Sequence, residues 1–276
     1  MIPAKIPFFI TAENKAIIEA IMANRAAHPV NILIKGKHGL GKSELARQLA
    51  ARYQMDYVPV PINLLQESGQ LMGHDEFENN QTQFIVSNFV KAVRTPNSMI
   101  HLEELNRPES PKALGELFPL LDDSRMIIHD KIGEVRVAPG IVFIATLNEG
   151  FEYTGVDPLD EALRDRFHYI ELGYLPPHEE IDLIKMRTGL AGQVVTQLIE
   201  LINSLRYDGQ DPIHVSTRRS LMMAELMKAG LPMQLAIVNS IAIDKDKLES
   251  ILMRFDFSGQ MGKGGAKIGK GEYVLL

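Results

Sequence analysis

The stretch "GKHGLGKS", Gly36 to Ser43, satisfies the spacing G-x-x-x-x-G-K-[ST]. It follows an apolar run, "VNILI", and precedes a helical pattern from Lys42 to Tyr53 in which Leu45, Leu49 and Ala50 share one face. Glycines at 36, 39 and 41 leave the backbone free to curl around phosphate oxygens, and the N-terminus of the following helix adds a partial positive charge. Lys42 can then reach β- and γ-phosphates, and Ser43 can offer a hydroxyl to a divalent cation. A nucleotide is therefore expected along the turn, from Gly36 through Lys37, His38, Gly39, Leu40, Gly41, Lys42 and Ser43 to Glu44. The side chain of His38 occupies a free position of the pattern and reads as incidental.

A second group of residues suits the same chemistry. "HLEELNRPES" places Glu103 and Glu104 at the end of the apolar run "NSMI". Two carboxylates ending a strand beside the glycine-turn strand can divide the work, Glu103 on the metal side and Glu104 polarising the attacking water. Asn148, in "FIATLNEG", is a neutral amide at the end of the most apolar strand pattern in the chain. It can hold a water or a γ-phosphate without competing charge; a plain turn residue before Gly150 is the other reading. The Met-rich "LMMAELM" reads as helix core, and the histidines show no metal-ligand spacing.

Strand, glycine turn, helix, strand is the order of a parallel α/β sheet, and the patterns up to Tyr174 continue it. "YVPVPI", Tyr57 to Ile62, carries two prolines and belongs at a sheet edge. A helix is expected from Ile85 to Val93, a third strand in "MIHLEE", a hairpin from Met126 to Val137 and a last strand in "FHYIEL". Beyond Tyr174 the β signals stop, and Glu179 to Thr188, Gln193 to Tyr207, Thr217 to Lys228 and Pro232 to Phe255 read as helices. The expected division is an α/β nucleotide-binding domain over 1–174, a small helical domain over 175–256 and a mobile Gly/Lys-rich tail over 257–276. At 276 residues the chain is long enough for such a pair of cores.

A net charge of −6 argues against a surface made for sequence-independent nucleic-acid binding, and the absence of cysteine rules out thiol catalysis and thiolate metal sites. No apolar stretch reaches the ~18 residues that cross a bilayer, and the first residues do not read as a signal peptide. A cytoplasmic location with no membrane partner is the expectation.

Together, the glycine turn, "MIHLEELNR", the hairpin ahead of "FIATLNEG", "LDEALRDRF" and "STRRSLMMAELM" resemble an AAA+ ATPase. Within that superfamily the chain resembles the MoxR group and its NorQ/CbbQ-type relatives, over nearly its whole length up to about Phe255. The resemblance implies ATP with Mg²⁺ held by Ser43 and Glu103, and Asn148 as sensor 1. It also implies that Arg166 is an arginine finger donated to a neighbouring subunit, with Arg164 close enough to share the role; ion pairing of Arg166 to Asp160, Glu161 or Asp165 is the bland alternative. Arg218 matches sensor 2, with Arg219 competing. Arg107, of the Asn-Arg pair in "ELNR", contacts a neighbour or the hairpin, or is a solvated loop residue. Inserts at about Ser68 to Phe84 and at Met126 to Val137 would face the pore of a ring. A homo-oligomer, expected to be a hexamer, acting on a client protein with or without a von Willebrand factor A domain adaptor follows. A nucleic-acid-dependent translocase or loader is the alternative. The sequence departs from the superfamily at Glu103, where most members carry aspartate; the extra methylene moves the carboxylate roughly 1.5 Å outward.

Overall fold

Two strands that are buried over most of their length and mainly apolar decide the centre of the sheet. The computed structural model describes residues 1–25, 28–78, 80–148, 159–209, 212–241 and 272–276. It opens with β1 (Phe9–Thr11), α1 (Ala12–Ala23), β2 (Val30–Gly36), α2 (Lys42–Tyr53) and β3 (Asp56–Pro61). Then follow β4 (Gly73–Glu78), β5 (Gln81–Val86), α3 (Asn88–Val93) and β6 (Ser98–Glu103). After α4 (Leu117–Leu121) come β7 (Met126–His129), β8 (Gly133–Arg136), β9 (Val142–Asn148), α5 (Glu161–Arg164) and β10 (His168–Glu171). The helices α6 (Pro177–Thr188), α7 (Gly192–Arg206), α8 (Thr217–Lys228) and α9 (Met233–Ile241) precede a last strand, β11 (Tyr273–Leu275).

The chain divides into two compact units. The first holds 1–6, 14–36 and 42–172; the second holds 7–13, 37–41 and 173–276. The first is built on a five-stranded sheet in the order β10-β2-β9-β6-β3, with every neighbouring pair parallel. All seven residues of β9 and the first five of β2 are buried, as expected where helices cover both faces. Among the described residues β3 pairs only with β6, so its prolines cost no ladder bond on the free side. The sequence expectation that the Glu103 strand lies beside the glycine-turn strand is corrected: β9 runs between them. Strand order is a non-local property, and the apolar pattern of β9 is the same wherever it is inserted. One buried polar side chain, Asn31, is fully used: its Nδ2 donates to Leu121 O (2.8 Å) and Arg166 O (2.9 Å), and its Oδ1 accepts from Arg125 (3.1 Å).

The polar insert after β3 is a hairpin, β4–β5, and the helix expected from Ile85 begins at Asn88 instead. Ile85 and Val86 remain in β5, and Ser87 caps α3 by accepting from Val90 N–H.

The second unit packs α6 to α9 around Leu198, Ile202, Met223 and Ile237. Of the methionines read as core, Met223 is buried and Met222 faces out. The tail expected to be mobile contributes β11, antiparallel to β1 with Ile10 opposite Val274; Tyr273, Val274 and Leu275 are strand-forming residues. Its Gly/Lys tract, 257–271, and the part of the last expected helix beyond Ile241 lie outside the described residues.

Candidate functional site

The glycine turn has the backbone its sequence demands. Gly36, Gly39 and Gly41 all have positive φ, at 148°, 73° and 92°. A Cβ at Gly36 would collide with the Leu172 carbonyl, and one at Gly39 with the Ser216 side chain. At the base of the turn Lys42 is buried and its Nζ donates to Gly36 O at 2.8 Å, so the ammonium lies inside the curl where phosphate oxygens would come. Ser43 is exposed and Glu44 accepts from Gln48 Nε2 at 2.8 Å. These features fit a nucleotide phosphate chain: positive-φ glycines, a buried lysine and a helix N-terminus. Lys37 is exposed and Leu40 buried.

The tip of the turn is tied to the start of α8. Arg218 N–H donates to Gly39 O at 3.1 Å, while the Arg218 side chain is exposed. His214 Nε2 lies 3.1 Å from the His38 carbonyl oxygen, and the two rings meet edge to face at 4.3 Å. Arg219 N–H goes to the Ser216 cap at 3.4 Å.

In the first unit, strand register brings the remaining chemistry level with the turn. Gly36 sits directly opposite Asn148 on β9. On the other side of β9, β6 ends at Glu103, and Glu104 begins a turn with φ of 53°. A left-handed conformation costs a non-glycine residue about 1–2 kcal/mol, so something must hold it there. Glu104 N–H points to Thr146 Oγ1 (3.4 Å), Leu105 N–H donates to Thr146 O (2.9 Å), and Asn106 Nδ2 donates to Asn148 O (3.1 Å). Asn148 Nδ2 donates to Glu104 Oε1 at 3.2 Å, joining the expected sensor to the expected water-polarising group. Arg107 pairs with the other oxygen of the same carboxylate at 3.5 Å, an intramolecular partner that the sequence reading did not include.

Glu103 and Glu104 have different surroundings. Burial raises the Glu103 pKa, Arg47 opposes that shift and the neighbouring Glu104 charge adds to it. His101 approaches Glu103 Oε1 at 3.5 Å, but the contact is not between charges: burial, with help from Arg47, lowers the imidazole to about 3 and keeps it neutral. His101 Nδ1 lies 2.7 Å from the Tyr57 hydroxyl, which burial pushes up to about 12, and its Nε2 lies 3.0 Å from Thr146 Oγ1. Sequence reasoning missed His101, Tyr57 and Thr146. The available signal was an imidazole inside an apolar strand, which needs polar partners from other strands.

The two arginines of "DRF" part company. Arg166 donates to Ala162 O, pairs with Asp122 Oδ2 at 2.9 Å and lies 5.3 Å over the Phe118 ring. Its carboxylate partner is thus none of the three nearby in sequence. Arg164 is exposed at the end of α5, and no ion pair involves it among the described residues.

The hairpins β4–β5 and β7–β8 touch one another. Lys131 pairs with Asp75 and lies over Phe84, whose ring meets His129 at 5.4 Å. Phe77 and Ile128, one on each hairpin, are 71% and 74% exposed. Among the described residues no cluster of three or more His, Cys, Asp or Glu is arranged to hold a metal ion alone, and no helix is long and apolar enough to cross a membrane.

Comparison with known proteins gives these arrangements a setting. Residues 31–167 match the AAA domain (dynein-related subfamily). BssE of Thauera aromatica, whose name marks it as a candidate chaperone, is 40% identical over 276 residues, covering 100% of this chain and 95% of that protein. Protein NorQ of Paracoccus denitrificans is 27% identical over 235 residues, 84% of each. Among solved structures, a RuvB variant from Thermotoga maritima superposes with a TM-score of 0.56 at 16% identity, over 90% of this chain and 70% of that one; the likeness is one of fold.

Proposed function

The chain belongs to the MoxR group of AAA+ ATPases, and from that premise we propose that it is a cytoplasmic ring motor, a hexamer, that couples ATP hydrolysis to remodelling or activating a partner protein complex. The observation that carries the proposal for the site is the register setting Gly36 opposite Asn148, with Asn148 Nδ2 3.2 Å from Glu104. It lines up a phosphate-binding turn, a neutral amide and a carboxylate at one end of the sheet.

The roles follow. Backbone N–H groups from Gly36 to Glu44 bind the phosphates, and Lys42 exchanges the Gly36 carbonyl for β- and γ-oxygens. Ser43 and Glu103 would hold Mg²⁺, which when bound would neutralise charge on the phosphates. Glu104 orients and polarises the attacking water, and Asn148 fixes the carboxylate and the water relative to each other. Residues 1–174 form the core and 175–256 the lid, where Arg218 senses nucleotide. A guanidinium from Arg164 or Arg166 completes a neighbouring subunit's site; the Asp122 pair restrains Arg166, whereas Arg164 is already exposed. The hairpin pair, with Phe77 and Ile128 outward, grips the client, directly or through an adaptor carrying a von Willebrand factor A domain.

Glu104→Gln protein used as bait in the native host tests this function. ATP-dependent capture of a protein client by an oligomeric bait supports it. A bait that stays monomeric on light scattering and gains no activity when mixed with an Arg164/Arg166 double variant contradicts it. Stimulation of wild-type ATPase by polynucleotide in place of protein would move the function to a nucleic-acid loader.

A further inference from the structure

Glu104 is the one residue of the acidic turn that combines a functional side chain with a left-handed backbone, φ 53°. What holds it arrives from the far edge of the sheet. Tyr57 on β3 meets His101 on β6 at 2.7 Å, and His101 meets Thr146 on β9 at 3.0 Å. Thr146 Oγ1 in turn faces the Glu104 N–H at 3.4 Å. His101 is fully buried and Thr146 nearly so, and the guanidinium of Arg47, one turn along α2 from Ser43, lies 5.6 Å over the Tyr57 ring.

A polar chain across three adjacent strands of an apolar sheet is costly unless every member is bonded. Both ring nitrogens of His101 are used, and either tautomer leaves Thr146 Oγ1 bonded on both sides. Apolar side chains at these positions would build the strands equally well, so the sheet itself does not require the chain. At the Thr146 end it terminates on the strained N–H of Glu104.

We propose that His101 and Thr146 are positioning residues for hydrolysis: the Tyr57–His101–Thr146 chain fixes the backbone of Glu104 so that its carboxylate faces the water, and relays the position of α2 to it. The proposal rests on Glu104 being the water-polarising group. It concerns geometry at Glu104 and leaves phosphate binding to the glycine turn.

The test is kcat and nucleotide affinity, the latter read with a fluorescent ADP analogue, for Thr146→Val, Thr146→Ser and His101→Leu, each also in a Glu104→Gln background. Thr146→Val keeps the side-chain shape and removes the hydroxyl, so it tests the idea even if His101→Leu fails to fold. The expected result is a kcat at least about fivefold lower for Thr146→Val, the rate equivalent of one hydrogen bond. Analogue affinity should stay within about twofold, Thr146→Ser should recover the rate, and Thr146→Val should add no further loss once Glu104 is glutamine. Wild-type kcat in Thr146→Val, or equal losses with and without Glu104, overturns the proposal. Wild-type hydrolysis in Glu104→Gln alone would instead overturn the role given to Glu104.

Discussion

Two buried polar clusters, one in each unit, use similar groups and end differently. In the helical unit Arg206 and Glu180 are both fully buried and joined by two bonds, 2.6 and 2.9 Å. Arg206 Nε donates to Val215 O, Ser220 donates to Glu180, and the guanidinium lies 4.5 Å over the Tyr174 ring. The ion pair is closed: Arg206, Glu180, Ser220 and the Val215 carbonyl satisfy one another. In the α/β unit the Tyr57–His101–Thr146 chain runs outward to Glu104, whose side chain is 40% exposed. A closed cluster fixes the packing of α6, α7 and α8, whereas an open one holds a group whose work lies outside the protein. The difference separates stability from turnover.

That separation can be broken experimentally. Arg206→Ala leaves the buried Glu180 without its partner, so about 3–5 kcal/mol of stability should go, seen as an earlier urea or thermal transition. A change below about 1 kcal/mol would show the pair to be dispensable. Asn148→Ala should do the reverse: kcat falls about tenfold or more through loss of the bond to the Glu104 carboxylate, with the melting midpoint nearly unchanged. Replacing both members of the closed pair, Glu180→Leu with Arg206→Met, should leave stability within about 1–2 kcal/mol of wild type, since a packed apolar pair can stand in for a buried ion pair. The smallest effect is at the hairpins. Asp75→Ala removes a half-exposed pair with Lys131 and should cost no more than about 0.5 kcal/mol, measured by denaturant titration.

The parts legible in the sequence were those with local periodicity or local backbone demands. The run Lys42 to Tyr53 is α2 to the residue, because its apolar spacing and the glycines ahead of it are all within one stretch. β2 and β9 are legible from near-continuous apolar runs, broken in β2 by Asn31 and in β9 by Thr146. What escaped depended on partners far along the chain. β1 is three residues long and its partner β11 lies more than 250 positions away, so no pattern pointed to either. β4 has one buried residue and five exposed ones, which leaves no alternation to read, and the hairpin passed as a polar insert. At the site, the residue types of the glycine turn, Glu103, Glu104 and Asn148 were readable, but not that Asn148 bonds Glu104 or that Asp122, 44 positions upstream, binds Arg166. His101 is not legible as a site residue in the sequence because its partners, Tyr57 and Thr146, are 44 and 45 positions away on neighbouring strands.

The adjacent glutamates are the centre of the account, and they are predicted not to be interchangeable. The most direct measurement is the ATPase kcat of Glu103→Asp beside that of Glu104→Gln at saturating Mg-ATP. Glu103→Asp should retain or raise the rate, because it restores the shorter carboxylate common in the superfamily, while Glu104→Gln should lower it roughly 10³-fold. Equal losses in the two variants would contradict the division of roles.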